Sequence, residues 1–130
     1  MKRVITFGTY DVFHIGHVNL LQRASALGDY LIVGVSSDTL NFEKKQRYPI
    51  YKEEDRMRII SSLKYVNEVF VEEYLEKKAQ YIKDKKADLL VMGDDWAGRF
   101  DWVKPWCEVI YLPRTPSIST TEIIEIARAR

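Results

Sequence analysis

The sequence predicts an α/β fold in which helices cover both faces of a parallel, five-stranded sheet. Five short apolar runs alternate with segments of helical periodicity from one end of the chain to the other, the order that a parallel sheet requires. No internal repeat or low-complexity linker interrupts this order. The 130 residues are enough for one hydrophobic core, so we expect a single domain over residues 1–130.

The apolar runs give the predicted strands. Val4 to Phe7 is stopped by Gly8, and Tyr30 to Val35 is β-rich and continuous, as a strand covered on both faces should be. The other three predicted strands are Val66–Val71, Asp88–Met92 and Val109–Leu112. With helices between them, these strands predict a Rossmann-like, doubly wound sheet.

Four segments repeat apolar residues at helical spacing. Three of them are 18–27, 53–64 and 75–82. Gly28 follows the first as a C-terminal stop. The fourth begins after Ser119, which together with Glu122 matches a capping box. The polar stretch from Ser36 to Lys52 carries no clear period, and no helix is predicted there.

A ligand site is expected at one edge of this sheet. In open α/β sheets ligands bind outside the carboxyl ends of the strands, near the point where the strand order changes direction. The loops that follow Phe7, Val35, Met92 and Leu112 are therefore the candidates. The chemically unusual residues of the sequence fall in these loops.

Composition excludes several classes of protein. Twenty Lys and Arg against nineteen Asp and Glu give a net charge of +1, without the basic surplus that nucleic-acid binding needs. The single cysteine, Cys107, cannot form a disulfide within the chain, which favours a reducing compartment. The N-terminal run is too short for a signal peptide, and no run approaches a membrane span. We expect a cytoplasmic protein without a membrane or nucleic-acid partner.

The loop after the first predicted strand reads GTYDVFHIGH and spans Gly8 to His17. The two histidines of the chain, His14 and His17, lie here, three residues apart, at the start of a predicted helix. A helix N-terminus offers free N–H groups and a positive dipole end, which together make an anion site. Gly16 removes a Cβ where a phosphate could approach the backbone.

Other interpretations of this loop are less well supported. Two histidines on a first helical turn can simply fill a corner of the fold. A metal site would need a third ligand at tight spacing, and only Asp11 is close in sequence. The glycines do not match the GxGxxG spacing of dinucleotide-binding loops. A phosphate-binding loop remains the favoured interpretation.

The loop after the fifth predicted strand, RTPSISTT, spans Arg114 to Thr121. Arg114 offers a planar, permanently charged fork that suits phosphate oxygens. Ser119, Thr120 and Thr121 place hydroxyls and free amides at another helix N-terminus, where Ser119 is also a suitable N-cap. This loop predicts a second anion site that faces the first.

These two motifs resemble known signatures. GTYDVFHIGH is similar to the H-x-G-H signature shared by the nucleotidyltransferase superfamily and the class I aminoacyl-tRNA synthetases, and this chain lacks the length and second signature of a synthetase. RTPSISTT resembles the R-T-x-G-I-S-T-T motif of the cytidylyltransferase family, with Ser117 where that family usually has glycine. The whole chain, from the first strand through MGDDW (residues 92–96) to the last helix, resembles the small bacterial cytidylyltransferases that act on glycerol 3-phosphate.

The resemblance implies an activity. Such an enzyme transfers CMP from CTP to glycerol 3-phosphate, giving CDP-glycerol and pyrophosphate for teichoic acid or capsular polymers. It implies Mg²⁺ carried by the CTP triphosphate, no metal site of the protein itself, and a homodimer. Alternatives remain open: another phosphorylated acceptor such as ethanolamine, choline or a polyol phosphate, an adenylyltransferase, or a nucleotide-binding protein without catalysis.

The candidate site residues follow from the motifs and the resemblance. The catalytic candidates are His14, His17 and Arg114. The nucleotide-binding candidates are Thr9, Tyr10, Asp11, His14, Ile15, Gly16, His17, Arg47, Asp94, Arg114, Thr115, Ser119, Thr120 and Thr121. The acceptor-binding candidates are Lys44, Lys45, Arg56 and Lys78. Which of Lys44, Lys45 and Arg47 contacts which substrate is left open.

Overall fold

A parallel sheet of five strands forms the centre of the molecule, in a computed structural model that describes residues 1–116 and 118–130. The strands are β1 (Arg3–Gly8), β2 (Tyr30–Ser36), β3 (Glu68–Glu72), β4 (Leu89–Gly93) and β5 (Glu108–Leu112). Their order is β3-β2-β1-β4-β5, and each neighbouring pair is parallel. The predicted doubly wound, Rossmann-like α/β sheet is confirmed.

The helices connect these strands. They are α1 (Ile15–Ala26), α2 (Asp38–Lys45), α3 (Glu53–Ser61), α4 (Lys78–Asp84) and α5 (Thr120–Ala129). Three short 3₁₀ turns cover Leu75–Lys77, Asp94–Trp96 and Asp101–Val103. Among the described helices, none combines the length and the apolar character needed to cross a membrane.

Helix α2 is absent from the sequence-based prediction. Ser37 caps it, with Oγ accepting a hydrogen bond from the backbone N–H of Leu40 at 3.0 Å. The helix ends at Gln46, which adopts the left-handed conformation with φ 59°. Its buried residues are only Leu40 and Asn41. Apolar residues repeat at helical spacing in a sequence when the helix buries an apolar face. Helix α2 buries so few apolar side chains that its sequence shows no such repeat.

The core is divided into two layers by the sheet. Alternate residues of each strand face opposite sides, so that Val4 of β1 packs in one layer and Ile5 in the other. Leu21 of α1 belongs to the first layer, and Ile82 of α4 belongs to the second. Cys107 is buried in the second layer, where burial raises the pKa of its thiol. Coverage on both faces explains why the central strands are continuous apolar runs.

Gly28 ends α1 for a reason other than the predicted one. A C-terminal glycine usually supplies a positive φ, but among the described glycines only Gly98 has one, at +80°. A Cβ at Gly28 would lie 2.6 Å from Cγ2 of Val4 and 2.9 Å from the carbonyl oxygen of Lys2. Close approach to the start of β1 therefore requires glycine at this position.

Candidate active site

A cavity of about 590 Å³ opens at the carboxyl edge of the sheet. Each of the four predicted loops contributes to its wall: Thr9 after β1, Lys44 after β2, Asp95 after β4 and Arg114 after β5. The strand order changes direction between β1 and β4, next to the loop that carries the first motif. The cavity thus lies where open α/β sheets bind their ligands.

His14 and His17 form a capping box at the start of α1. His14 is the N-cap residue, and its Nδ1 accepts a hydrogen bond from the N–H of Gly16 at 3.0 Å. The Nδ1 of His17 accepts from the N–H of His14 at 3.1 Å, and the two rings stack with centroids 3.8 Å apart. Because each Nδ1 is an acceptor, a neutral ring carries its proton on Nε2. Each histidine therefore keeps an Nε2–H donor for a ligand.

The two imidazoles are neutral at neutral pH. Burial lowers the pKa of His14 below its usual value. Burial, and then the proximity of His14, lower the pKa of His17 to about 3. Protonation would also place a hydrogen on each Nδ1 and break the capping box. The site thus offers fixed neutral donors rather than imidazolium ions.

Gly16 is required by the His14 ring. A Cβ at Gly16 would lie 2.8 Å from Cε1 and 3.0 Å from Nδ1 of His14, closer than such atoms approach in proteins. The capping imidazole itself occupies the space that a Cβ would fill, so glycine is required here even without a phosphate. Any larger side chain at this position displaces the ring that holds the helix start.

The second motif lies against the first. The side-chain hydroxyl of Thr120 donates to the carbonyl oxygen of Asp11 at 2.9 Å, and Ser119 caps α5 by accepting from the N–H of Glu122 at 3.1 Å. Arg114 is half-exposed, with Nη1 4.0 Å from Oδ1 of Asp95. The N-termini of α1 and α5 consequently face one cavity, where both favour anions. The departure at Ser117 lies outside the described residues.

Positive charge dominates the cavity wall. Among the described residues that line it, the cations are Lys44, Lys45, Arg47, Lys78, Arg114 and Arg128, and the acids are Asp11, Glu72 and Asp95. The carboxylates of Asp11 and Glu72 are already engaged by hydrogen-bond donors of the protein. The excess of cations suits a ligand with several negative charges.

Lys78 and Glu72 form a buried ion pair on this wall. The ammonium of Lys78 lies 2.7 Å from Oε2 of Glu72, and each residue is 2% exposed. The ammonium also lies 3.8 Å from the centroid of the Phe7 ring. Burial lowers the pKa of Lys78, and Glu72 opposes that shift. Burial likewise lowers the pKa of Lys44, which lies on the same wall.

Comparison with known proteins identifies the family. The sequence model of the cytidylyltransferase-like family matches residues 5–126 of this chain. The chain belongs to the cytidylyltransferase-like family. The glycerol-3-phosphate cytidylyltransferase of Bacillus subtilis (strain 168) is 52% identical over 126 residues, which cover 96% of each chain. The glycerol-3-phosphate cytidylyltransferase of Staphylococcus aureus (strain NCTC 8325 / PS 47) is 48% identical and covers 95% of this chain and 92% of that one.

A solved structure shares the fold of this cytidylyltransferase-like chain. The lipopolysaccharide core biosynthesis protein of Thermoplasma volcanium GSS1 superimposes with a TM-score of 0.75 at 23% sequence identity. The likeness covers 88% of this chain and 98% of that protein. At this identity it shows that the fold is shared, and it supports the Rossmann-like class predicted from the sequence.

Most of the predicted site residues line the cavity of this family member. The nucleotide-binding candidates on its wall are Thr9, Tyr10, Asp11, His14, Gly16, His17, Arg47, Arg114, Thr115, Ser119, Thr120 and Thr121. The acceptor-binding candidates on its wall are Lys44, Lys45 and Lys78. Three other candidates, among the residues that the structure describes, are not brought to the wall: Ile15, Arg56 and Asp94.

Arg56 is occupied by the protein itself. Its side chain is fully buried and donates to the carbonyl oxygens of Thr9, Ser36 and Tyr51 at 2.9, 2.8 and 2.9 Å. Its Nη2 also lies 2.7 Å from Oδ1 of Asp38. A guanidinium has five N–H donors, and these contacts engage all three of its nitrogens. Arg56 therefore joins the loops that surround the cavity and does not face an acceptor.

Asp94 and Ile15 are displaced by local geometry. Asp94 begins a 3₁₀ turn, and this turn brings its neighbours Asp95 and Trp96 to the cavity wall instead. Ile15 is the first residue of α1, and its side chain is 57% exposed. In both places the motif is at the cavity, but the predicted residue is one position away from the wall.

Asn41 and Arg128 are two polar residues of the cavity wall that were not among the predicted site residues. Asn41 is buried in α2, where its Oδ1 accepts from the hydroxyl of Thr9 at 2.8 Å and its Nδ2 donates to the carbonyl of Ser37 at 2.9 Å. No periodic signal marks it, because α2 itself gives none. Arg128 lines the cavity from α5 and lies one helical turn after Ile124. The helical spacing of Thr121, Ile124 and Arg128 is a signal that could have shown this shared face.

Proposed function

We propose that this chain is a glycerol-3-phosphate cytidylyltransferase, which transfers CMP from CTP to glycerol 3-phosphate and releases pyrophosphate. The observation that carries the proposal is the juxtaposition of two helix N-termini, each with its own motif, on one cation-rich cavity. Two relatives with this name are 52% and 48% identical over nearly the whole chain. Both the chemistry of the cavity and these relatives support a nucleotide triphosphate and a phosphorylated acceptor as substrates.

The proposed reaction is one in-line displacement at phosphorus. An oxygen of the acceptor phosphate forms a bond to the α-phosphorus of CTP, and the bond from that phosphorus to the oxygen bridging to the β-phosphorus breaks. The electron pair leaves with pyrophosphate. A phosphate monoester has a second pKa near 6, so the nucleophile carries no proton at neutral pH. No general base is needed, which agrees with histidines that act as donors.

The histidines and Arg114 have distinct proposed roles. His14 and His17 donate from Nε2 to the oxygens of the α-phosphate and the leaving pyrophosphate, where negative charge develops. Their hydrogen bonds to the backbone fix both rings before substrate arrives. Arg114 and the amides at the start of α5 bind the triphosphate from the opposite side. The chain thus contributes orientation and charge stabilisation rather than a covalent intermediate.

The acceptor phosphate is assigned to the acceptor side of the cavity, the part of the wall that the segment after β2 forms. Lys44, Lys45 and Arg47 line this side together with the buried Lys78. A dianionic acceptor next to a polyanionic nucleotide needs cations of its own, because the two substrates repel each other. Lys78 is already neutralised by Glu72, so the cations after β2 are the accessible partners for the acceptor phosphate.

Magnesium enters the proposal with CTP. Among the described residues no group of three His, Cys, Asp or Glu side chains could hold a metal ion. The donors on the cavity wall fit an ion that the triphosphate oxygens carry in, with Asp95 as the half-exposed carboxylate beside Arg114. When bound, the ion would neutralise part of the triphosphate charge. We further propose a homodimer whose product supplies teichoic acid or capsular polymers.

One assay tests the proposal. The purified chain is incubated with Mg²⁺, with CTP or ATP, and with glycerol 3-phosphate, ethanolamine phosphate or choline phosphate, and pyrophosphate release is followed. We expect the highest kcat/KM for CTP with glycerol 3-phosphate, and a value at least about tenfold lower with ATP. Comparable turnover with ATP would make the chain an adenylyltransferase. A higher kcat/KM with another acceptor would replace glycerol 3-phosphate, and no release with any pair would refute the activity.

A further inference from the structure

Asp11 places a carboxylate within the anion-binding cavity. It lies on the wall and is 9% exposed. A carboxylate repels a polyphosphate, so direct contact with the triphosphate is unfavourable. The residues on both sides, Tyr10 and Val12, have positive φ values of 55° and 47°, and this conformation is strained for a β-branched valine. This strained loop places the Asp11 carboxylate in a cavity that favours anions, and nucleotide binding does not explain that arrangement.

The contacts of Asp11 supply that explanation. Its Oδ2 accepts a hydrogen bond from the backbone N–H of Ile50 at 2.7 Å, and its Oδ1 accepts from that of Tyr51 at 2.8 Å. Oδ1 also accepts from the N–H of Val12 at 3.1 Å. Both carboxylate oxygens therefore accept hydrogen bonds from backbone amides. Two of these three amides belong to a segment about 40 positions after Asp11. Hydrogen bonds to an ionised acceptor are stronger than neutral ones.

The two amides belong to the segment that follows the acceptor-side cations. Helix α2 ends with Lys45, and the N–H of Gln46 donates to the carbonyl of Phe42 at 2.7 Å. Residues 47–49 then connect this anchor to the amides held by Asp11, and α3 begins at residue 53. Without the hydrogen bonds from Ile50 and Tyr51 to Asp11, Arg47 and the end of α2 would be held from one side alone, through the Gln46–Phe42 hydrogen bond.

We propose that Asp11 is a positioning residue for the acceptor phosphate: it holds Ile50 and Tyr51, and through them the cations Lys44, Lys45 and Arg47, against the cavity. The inference rests on the proposed function, and it replaces the predicted nucleotide contact of Asp11. The main-chain carbonyl of Asp11 accepts a hydrogen bond from the hydroxyl of Thr120. Asp11 therefore also fixes the distance between the acceptor side and the start of α5. Changing the side chain alone leaves that main-chain contact in place.

The test compares Asp11→Asn with Asp88→Asn. Asp88 is a matched control, because its Oδ2 also accepts from a backbone amide, that of Arg3 at 2.8 Å, but at the opposite edge of the sheet. An asparagine keeps the size of the side chain and loses the charge and one acceptor oxygen. For Asp11→Asn we expect the KM for glycerol 3-phosphate to rise about tenfold or more, while the KM for CTP stays within about threefold. Asp88→Asn leaves both KM values unchanged.

Hydrogen exchange gives a readout that does not depend on activity. The amide protons of Ile50 or Tyr51 should exchange at least about tenfold faster in Asp11→Asn than in the unchanged protein, and those near Asp88 should not. Unchanged exchange at both amides would overturn the proposal. So would a rise in the KM for CTP that equals or exceeds the rise for the acceptor, because a side chain that binds nucleotide predicts that result.

A second variant covers the case in which Asp11→Asn does not fold. Ile50→Pro removes one of the two amide donors and leaves the carboxylate in place, and the Ile50 side chain is 58% exposed. It should raise the KM for glycerol 3-phosphate in the same direction, and failure to do so overturns the proposal. If the unchanged protein turns over CTP and glycerol 3-phosphate but neither variant shifts the acceptor KM, the inference fails alone. If the unchanged protein shows no turnover, the proposed function fails.

Discussion

The two sides of the cavity are built in opposite ways. On the nucleotide side, His14 and His17 are neutral, stacked and hydrogen-bonded to backbone amides within four residues of each other. On the acceptor side, Lys45 and Arg47 are charged and exposed, and their position depends on anchors elsewhere in the chain. Fixed neutral donors suit the stabilisation of charge that develops during the reaction, since they need no reorganisation. Exposed cations suit binding of a charge that is already present. Substitutions on the nucleotide side should therefore lower kcat, and substitutions on the acceptor side should raise KM.

Lys78 is the exception on the acceptor side, and it carries the largest expected effect. Lys78→Met leaves the buried carboxylate of Glu72 without its partner, which should lower the free energy of unfolding by about 3 to 5 kcal/mol. The double variant Lys78→Met with Glu72→Gln should regain most of that loss, because no unpaired charge remains. Urea unfolding of the three proteins measures the difference. Equal stability of the single and double variants would show that the pair is not coupled.

Substitutions of His14 and His17 test the nucleotide side of the cavity. Changing either His14 or His17 to Ala should lower kcat about 100-fold or more, the scale for loss of one transition-state donor. His14→Asn is the informative partner of His14→Ala, because Asn is a good N-cap and can accept from the Gly16 amide, yet it lacks the imidazole. Steady-state kinetics and thermal unfolding of both separate capping from catalysis. A variant that keeps near-normal kcat at saturating substrate would refute the catalytic role.

Lys45 should show the binding behaviour expected of the acceptor side. Lys45→Ala should raise the KM for glycerol 3-phosphate about tenfold, and kcat and the KM for CTP should change less. Lys64→Ala, a lysine in the connection between α3 and β3 and away from the cavity wall, serves as the control. Kinetics with each substrate varied in turn, together with calorimetric titration of CTP, measure the split. Weaker CTP binding with an unchanged acceptor KM would assign Lys45 to the nucleotide.

The sequence predicted the layers and the loops of the site, but not the contacts between distant segments. Alternating apolar runs predict strands because burial on both faces requires them, and all five strands were found near their predicted ends. The buried position of Arg56 could not be predicted, because the carbonyl groups that accept its hydrogen bonds, those of Thr9, Ser36 and Tyr51, come from three separate segments. No spacing in the sequence shows that these carbonyls converge. The contacts of Asp11 with Ile50 and Tyr51 could not be predicted from the sequence for the same reason.

The capping box made by the two histidines leads to the smallest expected effect, a dependence of stability on pH. The folded protein holds the pKa of His17 near 3, whereas an unfolded chain has the ordinary value of about 6.5. Between these values the unfolded state binds the proton and the folded state does not, so this contribution to stability is present above about pH 6.5 and is lost as pH falls. The loss between pH 7 and pH 5 is therefore at most about 2 kcal/mol, and solvent screening of the half-buried ring makes it smaller.

His17→Asn isolates this contribution, because an amide does not titrate between pH 7 and 5. Carboxylates elsewhere in the chain also change stability in this range, but they are the same in both proteins and cancel in the difference. Urea unfolding at pH 7.0, 6.0 and 5.0 should therefore show the unchanged protein losing stability faster than the variant as pH falls. Parallel losses would mean that His17 takes up a proton in the folded protein as readily as in the unfolded chain. The neutral state of the ring, and with it the contrast between fixed neutral donors and exposed cations, would then be wrong.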